Sequence, residues 1–517
     1  MAPKTPWRLA LLLLLATLNA GATAQPPPAA HSQTPSPRQL AWHQHEYYAF
    51  VHFGPNTFTD EEWGLSQQPP SVFAPTDLST DQWAATFAAA GMSGMILTAK
   101  HHDGMCLWPT NTTAYTIANS PWARNRTTKT ADVVRMAAAS ARKHGLRFGV
   151  YLSPWDMHRD PAIPKPLLAG TIFDEPQIFG DDSSTADDGS DYNDLYAAQL
   201  AELVGMTYDA DDDDDGQPIP LFEVWLDGAS GSDTVQTFDW ARFRDVIRES
   251  QPDAVMWGHQ GVDARWVGNE DGETGQTNWH TISRTQDDER YSGEELEEGV
   301  RNGAYWTPAE ADARVRQGWF WHKGEEPKGA GELVEMWGRS VGRSVALLLD
   351  VPPDGRGRIA EGDVEVLMEF RARREAFLRR DVLGPGVVVN ASGVRGGNDV
   401  VFGPAKVLDG DAETYWTMDD GETTGAVEFE LDGAYSVDAF VTQEHIALGQ
   451  RIGGYEIGAV VNGTWTTVVT GTSLGYKRID RLSEAVRTSR VRFSVTQADA
   501  VPLISAFQVL GTRESTA

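Results

Sequence analysis

Cysteine is nearly absent from this sequence, since Cys106 is the only one among 517 residues. A single thiol excludes an intrachain disulfide, so the fold depends on hydrophobic cores for its stability. A chain of this length is large enough for two such cores, and one core of that size would be unusual. We therefore expect two domains, each with its own buried interior.

Positive charge is also scarce. Lys and Arg number 43 against 74 Asp and Glu, which gives a formal net charge of −31. Nucleic acids and anionic membrane surfaces bind proteins through basic patches, so neither is an expected partner. The acidic run at 211–215 lacks the Asp-x-Asp-x-Asp-Gly spacing of a calcium loop, and we interpret it as a solvated loop.

Long apolar runs are missing beyond the N-terminus. One run, Leu9–Leu18, follows two basic residues and precedes the small residues Ala22-Thr23-Ala24. This order predicts a secretory signal peptide over 1–24 and a secreted, extracellular protein. The run is too short to span a bilayer. Four sequons are candidate N-glycosylation sites: Asn111, Asn125, Asn390 and Asn462.

After a Pro-rich linker at 25–38, apolar runs alternate with helical patterns up to residue 383. The strand candidates are Ala49–His52, Gly94–Thr98, Arg147–Leu152, Leu221–Asp227, Ala254–Trp257, Gly318–Trp321 and Val345–Val351. This alternation predicts a mostly parallel α/β sheet, either closed or open. We favour a (β/α)8-like, TIM-type barrel over 39–383, because no glycine-rich phosphate turn follows the first strand. In addition, polar and aromatic residues follow many different strands, whose ends share one rim in a barrel.

The pattern changes near residue 386. Short alternating runs such as GAVEFEL and SRVRFSV are separated by Gly, Asn and Asp turns, and long helices are missing. Alternation of this kind is typical of antiparallel strands with one buried face. We predict an antiparallel β-sandwich over 386–513.

Polar side chains gather where the predicted barrel strands end. Such side chains follow or close an apolar run at ten positions: His52, His101, His102, Asp103, Tyr151, Trp155, Trp225, Asp227, Trp257 and His259. In the segment EVWLDG, the two-residue period of a strand places Trp225 and Asp227 on one face and Leu226 on the other. An indole and a carboxylate should therefore both point into the mouth of the barrel.

Three chemistries are candidates for this rim: a metal site, a serine hydrolase and a pair of carboxylates. The adjacent His101 and His102 do not have the spacing of a metal site, and Ser340, in GRSVG, lies in a helical stretch instead of a strand-to-helix turn. Paired carboxylates remain, as retaining glycosidases use them. Asp227 is the candidate nucleophile, and the segment RWVGNEDGETG offers Glu270, Asp271 and Glu273 as its partner.

Four segments carry a family resemblance: FVHFGPNTF, LTAKHHDGMCLWPTN, RFGVYLSPWD and EVWLDGA. In this order they resemble the α-L-fucosidases, glycoside hydrolase family 29. RWVGNEDG and WTPAEADARVRQGWFWH are similar to the plant-like branch that prefers α-1,3- and α-1,4-linked fucose. The resemblance implies a barrel with a C-terminal sandwich, retaining hydrolysis, no cofactor or metal, and a fucosylated oligosaccharide or glycoprotein glycan as substrate.

The resemblance also assigns roles to residues. It implies Asp227 as nucleophile and Glu270 as acid/base, with Glu273 in reserve. The substrate-binding positions it implies are His52, Glu62, Trp63, His101, His102, Tyr151 and Trp225. Asp350 departs from the branch, which usually has asparagine there, and 157–191 resembles an expanded loop.

The C-terminal segment resembles discoidin-like, jelly-roll modules and is a candidate carbohydrate-binding domain. Two other functions stay open at this stage. One is a secreted fucose-binding protein without activity, and the other is a barrel glycosidase for a different sugar.

Overall fold

The computed structural model describes residues 25–64, 68–124, 126, 131–160, 190–208, 216–230, 236–258, 262–283, 293–384 and 386–514. Several predictions fall outside these residues: the signal peptide at 1–24, the acidic run at 211–215, Asn125, the rim candidate His259 and much of the loop at 157–191. Asn111, Asn390 and Asn462 are exposed, as a glycan acceptor must be. Their modification stays a prediction.

Ten strands belong to the first domain: β1 Tyr47–Val51, β2 Gly94–Lys100, β3 Arg147–Leu152, β4 Leu221–Trp225, β5 Val255–Trp257, β6 Arg265–Trp266, β7 Thr281–Ile282, β8 Tyr305–Trp306, β9 Ala309–Arg314 and β10 Ala346–Asp350. Eight of them form one parallel sheet in the order β5-β4-β3-β2-β1-β10-β9-β6. A parallel bridge between Trp257 and Ala264 brings its two edges together. The result is a nearly closed eight-stranded barrel, which confirms the predicted fold class.

The helices of the first domain are α1 Pro37–His43, α2 Pro55–Thr59, α3 Thr80–Ala89, α4 Val133–Lys143, α5 Ser190–Val204, α6 Trp240–Ser250, α7 Gly293–Glu298, α8 Ala330–Arg339 and α9 Glu361–Leu378. Helix α4 shows how the sequence sets their bounds. The Asp132 side chain accepts from the amide of Arg135 at 2.9 Å, and Gly145, at φ +73°, follows the C-terminus. No helix within the described ranges is long and apolar enough to cross a bilayer.

Two parts of the strand prediction were wrong. Gly318–Trp321 forms no strand, and its aromatic residues lie in a bent loop after β9. The barrel instead uses β6 and β9, which the prediction missed. Strand β9 reads Ala-Glu-Ala-Asp-Ala-Arg, so it lacks the large apolar residues that usually mark a buried strand.

The barrel strands separate two hydrophobic cores. Tyr48, Phe50, Tyr151, Trp225 and Trp257 belong to the cluster inside the barrel. The larger cluster contains alternate strand residues together with the buried faces of the helices. Leu226 lies in the larger cluster and Trp225 in the inner one, so the predicted alternation at EVWLDG is confirmed.

The second domain contains β11 Val388–Ala391, β12 Gly425–Glu444, β13 Ile452–Val461, β14 Thr464–Gly471, β15 Arg478–Ala498, β16 Ile504–Arg513 and the short helix α10 Asp399–Phe402. Its strand pairs are antiparallel. The Phe507 ring stacks on both Phe429 and Phe440, at 4.9 and 6.1 Å between centroids. Eleven residues of straight strand would span roughly 36 Å. Strand β12 therefore folds over, and its two halves enclose one core, as in a sandwich.

The N-terminal strap, residues 25–36, lies along the second domain. Two buried arginines donate to its carbonyls: Arg395 Nε to Pro26 at 2.9 Å and Arg451 Nη2 to Ala29 at 2.7 Å. The His31 amide donates to the Leu448 carbonyl at 2.9 Å. These arginines are buried, and the carbonyls of the strap satisfy two of their donors. Part of the segment predicted as a linker therefore packs on the second domain.

Substituting Gly449 tests this role of the strap. Gly449 has φ +93°, and a Cβ there would overlap the His31 carbonyl of the strap. Gly463 has φ +80°, with no atom within 4 Å of the position of its Cβ. We expect Gly449→Ala to cost at least about 1 kcal/mol more unfolding free energy than Gly463→Ala, which carries only the backbone strain. Thermal or denaturant unfolding measures both variants. Equal losses of unfolding free energy would contradict tight packing of the strap against Gly449.

Candidate active site

A cavity of about 520 Å³ opens at the carboxyl ends of the barrel strands. Eight predicted site residues line it: His52, Trp63, His101, His102, Tyr151, Trp225, Asp227 and Glu270. Two of them lie in β3 and β4, and the others lie in the loops that follow β1, β2, β4 and β6. The barrel thus brings to one rim side chains that lie more than 200 residues apart.

Asp227 lies two residues after the end of β4, at the floor of the cavity. The Tyr151 hydroxyl donates to its Oδ2 at 2.9 Å, and the Ala229 amide donates to its Oδ1 at 2.8 Å. His102 Nε2 is 3.5 Å from Oδ2. These contacts fix the carboxylate, while about a fifth of its side chain remains exposed to the cavity. A held but accessible carboxylate is suited to nucleophilic attack.

The three histidines of the rim are electrically neutral near pH 7. Burial lowers the pKa of His52 to about 3, and it lowers the pKa values of His101 and His102 in the same direction. The His102 Nδ1 lies 2.7 Å from the Ser153 hydroxyl, and the His101 ring stacks on Tyr151. A neutral imidazole can donate with one nitrogen and accept with the other, so each ring can bind a sugar hydroxyl.

Asp350, the departure noted in the sequence, lies beneath His52. Its Oδ1 accepts from the His52 amide at 3.2 Å and contacts Nδ1 at 2.8 Å. Burial raises the pKa of Asp350 well above its ordinary value, so this contact joins a neutral ring to a buried carboxyl and is not an ion pair. The contact occupies Nδ1, so Nε2 is the ring nitrogen available to a sugar hydroxyl.

Aromatic rings form the walls of the cavity. Trp225 and Trp257 stack at 3.5 Å between centroids with an interplanar angle of 6°, and Tyr151 stacks on the other side of Trp225 at 5.4 Å. At the entrance, Trp63 is 45% exposed and meets the His102 ring edge to face. Trp319 completes the lining beside His52. An apolar wall with a few polar groups is the usual composition of a small-molecule site.

The two candidate acid/base residues lie in different surroundings. Glu270 lines the cavity, and its Oε2 is 3.5 Å from an Arg314 guanidinium nitrogen. Glu273 is not among the lining residues, and its Oε2 accepts from Arg339 on α8 at 2.9 Å. The geometry therefore favours Glu270 over Glu273, which the sequence alone left open.

Glu62 lies behind the cavity wall and is not among the lining residues. Its carboxylate accepts from the amides of Trp319, at 2.9 Å, and Phe320, at 3.4 Å, and from the ring of His322. In this arrangement it braces the loop that carries Trp319. A direct contact between Glu62 and the substrate stays a prediction.

The lining residues that sequence reasoning missed include two tryptophans and a carboxyl: Trp266, Trp319 and Asp312. The Trp266 indole donates to Asp312 Oδ1 at 2.8 Å, and burial raises the pKa of Asp312 well above its ordinary value. The alternation Glu310-Ala-Asp312 could have signalled an inward-facing polar strand, but its small residues hid the strand itself. Among the described residues, no group of three or more potential ligands could hold a metal ion.

Comparison with known proteins decides the family. The family model described as alpha-L-fucosidase matches residues 30–372, two thirds of the chain. The chain belongs to the α-L-fucosidase family. The F5/8 type C domain model matches residues 388–507, which is the second domain. The protein is therefore a glycoside hydrolase with a discoidin-like C-terminal domain, and fucosylated glycans are its substrate class.

Individual fucosidases match over nearly the whole chain. Alpha-L-fucosidase 1 of Arabidopsis thaliana is 35% identical over 96% of this chain and 91% of its own length. A family 29 fucosidase of Ruminococcus gnavus, solved in complex with fucose, is 31% identical with a TM-score of 0.83, covering 95% of this chain and 97% of that one. A family 29 member from a rumen bacterium is 30% identical with a TM-score of 0.73, covering 95% and 79%.

Proposed function

We propose that this fucosidase releases terminal α-linked L-fucose with retention of configuration, using Asp227 as the nucleophile and Glu270 as the acid/base. The observation that carries the proposal is that these two carboxylates line one cavity, while Glu273 is bound to Arg339 outside it. Two carboxylates flanking one sugar are what a double displacement requires.

The reaction then proceeds in two steps. Asp227 Oδ attacks the anomeric carbon, while protonated Glu270 gives its proton to the departing glycosidic oxygen, so the C–O bond breaks as the ester forms. Glu270, now ionised, takes a proton from water. The hydroxide so formed attacks the same carbon from the vacated side, which releases fucose and restores Asp227.

The preferred linkage and the location are part of the same proposal. The resemblance of RWVGNEDG and WTPAEADARVRQGWFWH to the plant-like branch supports α-1,3- and α-1,4-linked fucose as the substrate. The basic, apolar and small-residue order at 1–24 supports secretion. Mass analysis of the N-terminal peptide from exported protein tests secretion, and a peptide that starts before Gln25 would contradict cleavage after Ala24.

Substrate choice and stereochemistry can be tested on the purified full chain. We expect 3-fucosyllactose and a Lewis-type trisaccharide to release fucose at least about tenfold faster than the α-1,2-linked isomer, a difference of about 1.4 kcal/mol in transition-state binding. Proton NMR of the first minutes should show α-L-fucose before mutarotation. Equal rates would contradict the linkage preference, and β-L-fucose as the first product would contradict retention.

A further inference from the structure

Two glutamates lie buried beneath the floor of the sugar pocket. Glu223 on β4 and Glu310 on β9 have no exposed surface, and the hydroxyl of Tyr48 on β1 contacts the Oε2 atoms of both. The Trp42 indole donates to Glu223 Oε2 at 2.8 Å, and the Trp225 indole donates to Glu310 Oε1 at 2.8 Å. None of the fucosidase chemistry above uses this cluster.

The contacts allow one negative charge and not two. Tyr48 has one proton to donate but touches two carboxyl oxygens. The oxygen that does not receive this proton must carry one of its own and donate it to the Tyr48 oxygen, since two lone pairs would otherwise face each other. One glutamate is therefore a neutral acid. Burial raises the pKa values of both groups, which agrees with a single shared proton.

The acceptor pattern identifies the protonated member. Each oxygen of Glu310 receives a donor, one from Trp225 and one from Tyr48. Glu223 Oε1 is buried and has no hydrogen-bond partner among the described residues. An unpartnered oxygen costs less on a neutral acid than on a buried carboxylate. The charge therefore belongs on Glu310 and the proton on Glu223.

The charged residue, Glu310, supports the aromatic wall of the cavity through Trp225. Trp225 is held by Glu310 through its indole N–H, and its ring stacks on Trp257 and Tyr151. The Tyr151 hydroxyl in turn donates to Asp227. We propose that Glu223, Tyr48 and Glu310 form a hydrogen-bonded network in which Glu223 keeps its proton and Glu310 carries the charge. Ionised Glu310 is then a positioning residue for Trp225 and for the aromatic wall of the cavity.

Infrared difference spectroscopy on the two isosteric variants tests the charge assignment. Glu223→Gln should remove the C=O band of a protonated carboxylic acid, and Glu310→Gln should remove a carboxylate band. Other buried acids, such as Asp312 and Asp350, are common to all the proteins and cancel in the differences. Loss of a carboxylate band in Glu223→Gln would overturn the assignment.

Kinetics on the same pair test the positioning role. In Glu310→Gln, the amide nitrogen faces either the Trp225 or the Tyr48 donor, so we expect kcat/KM to fall and the inhibition constant of L-fucose to rise at least about tenfold. Glu223→Gln leaves the Glu310–Trp225 bond in place and should stay within about twofold in both measurements, even where its unfolding temperature falls.

Glu310→Asp keeps the charge and serves as the second variant where Glu310→Gln does not fold. Its shorter side chain weakens the bond to the Trp225 indole, so we expect a smaller loss of fucose affinity in the same direction. Wild-type kcat/KM and fucose affinity in both Glu310 variants, or an equal loss in Glu223→Gln, would overturn the positioning role.

Discussion

Replacing Asp227 with glycine is expected to lower kcat by about 10³-fold or more, because the change removes the carboxylate that forms the glycosyl ester. The change removes the acceptor of the Tyr151 hydroxyl and the Ala229 amide, but it leaves the rest of the lining in place. Free fucose released from an α-1,3-linked oligosaccharide is the measurement. Near-normal turnover would refute the assignment of Asp227.

The space vacated in Asp227→Gly provides a positive control. Azide can occupy it, attack the anomeric carbon and expel the leaving group, giving a fucosyl azide of inverted configuration. Asp227→Asn is the matched variant, since its amide oxygen can still accept from Ala229, its amide nitrogen can donate to the Tyr151 hydroxyl, and the side chain fills the space. We therefore expect azide to restore part of the turnover only in the glycine variant. Equal rescue of both variants would contradict direct attack by this side chain.

Some parts of the site could be predicted because a local pattern determines them. The alternation Trp225-Leu226-Asp227 places an indole and a carboxylate on the inner face of a strand end, since a strand has a two-residue period. His101 and His102 follow a continuous apolar run, so they had to lie at the rim. In both cases the sequence neighbours that determine the geometry lie within a few residues.

Other parts depend on partners that are distant in the sequence. Strand β9 places Glu310 and Asp312 inside the barrel, against the usual preference for apolar residues there. Their hydrogen bonds come from distant indole groups: Trp225, 85 residues away, donates to Glu310, and Trp266, 46 residues away, donates to Asp312. No local pattern announces such a pair. The aromatic segment at 318–321 was wrongly predicted as a strand. Its rings pack against the cavity wall from a loop, and the local pattern does not distinguish this from a buried strand.

The environment of Glu62 shows the same limit for single residues. The family resemblance implies a substrate contact for Glu62, which precedes Trp63 in the sequence. In the fold its oxygens accept from two amides of the 318–322 loop, a segment more than 250 residues away. The choice between Glu270 and Glu273 is of this kind too, since it depends on Arg314 and Arg339, which approach from β9 and α8.

The kcat/KM values of Glu270→Gln and Glu273→Gln test which of the two glutamates is the acid/base. General acid–base catalysis contributes typically about 10²–10⁴-fold, so we expect Glu270→Gln to lower kcat/KM on a natural oligosaccharide by this factor. Glu273→Gln loses only a half-exposed ion pair with Arg339 and should stay within about twofold. A large loss in Glu273→Gln with little change in Glu270→Gln would transfer the role to Glu273.

An activated substrate separates proton donation from binding. The dinitrophenolate group of a dinitrophenyl fucoside leaves without a proton, so the first step in Glu270→Gln should proceed at close to the wild-type rate. The second step still needs a base to activate water, so the covalent intermediate should accumulate and appear as a burst of dinitrophenol. Added azide, which needs no base, should then speed turnover. Parallel losses on the natural and the activated substrate, with no burst, would mean that Glu270 binds the sugar and does not transfer the proton.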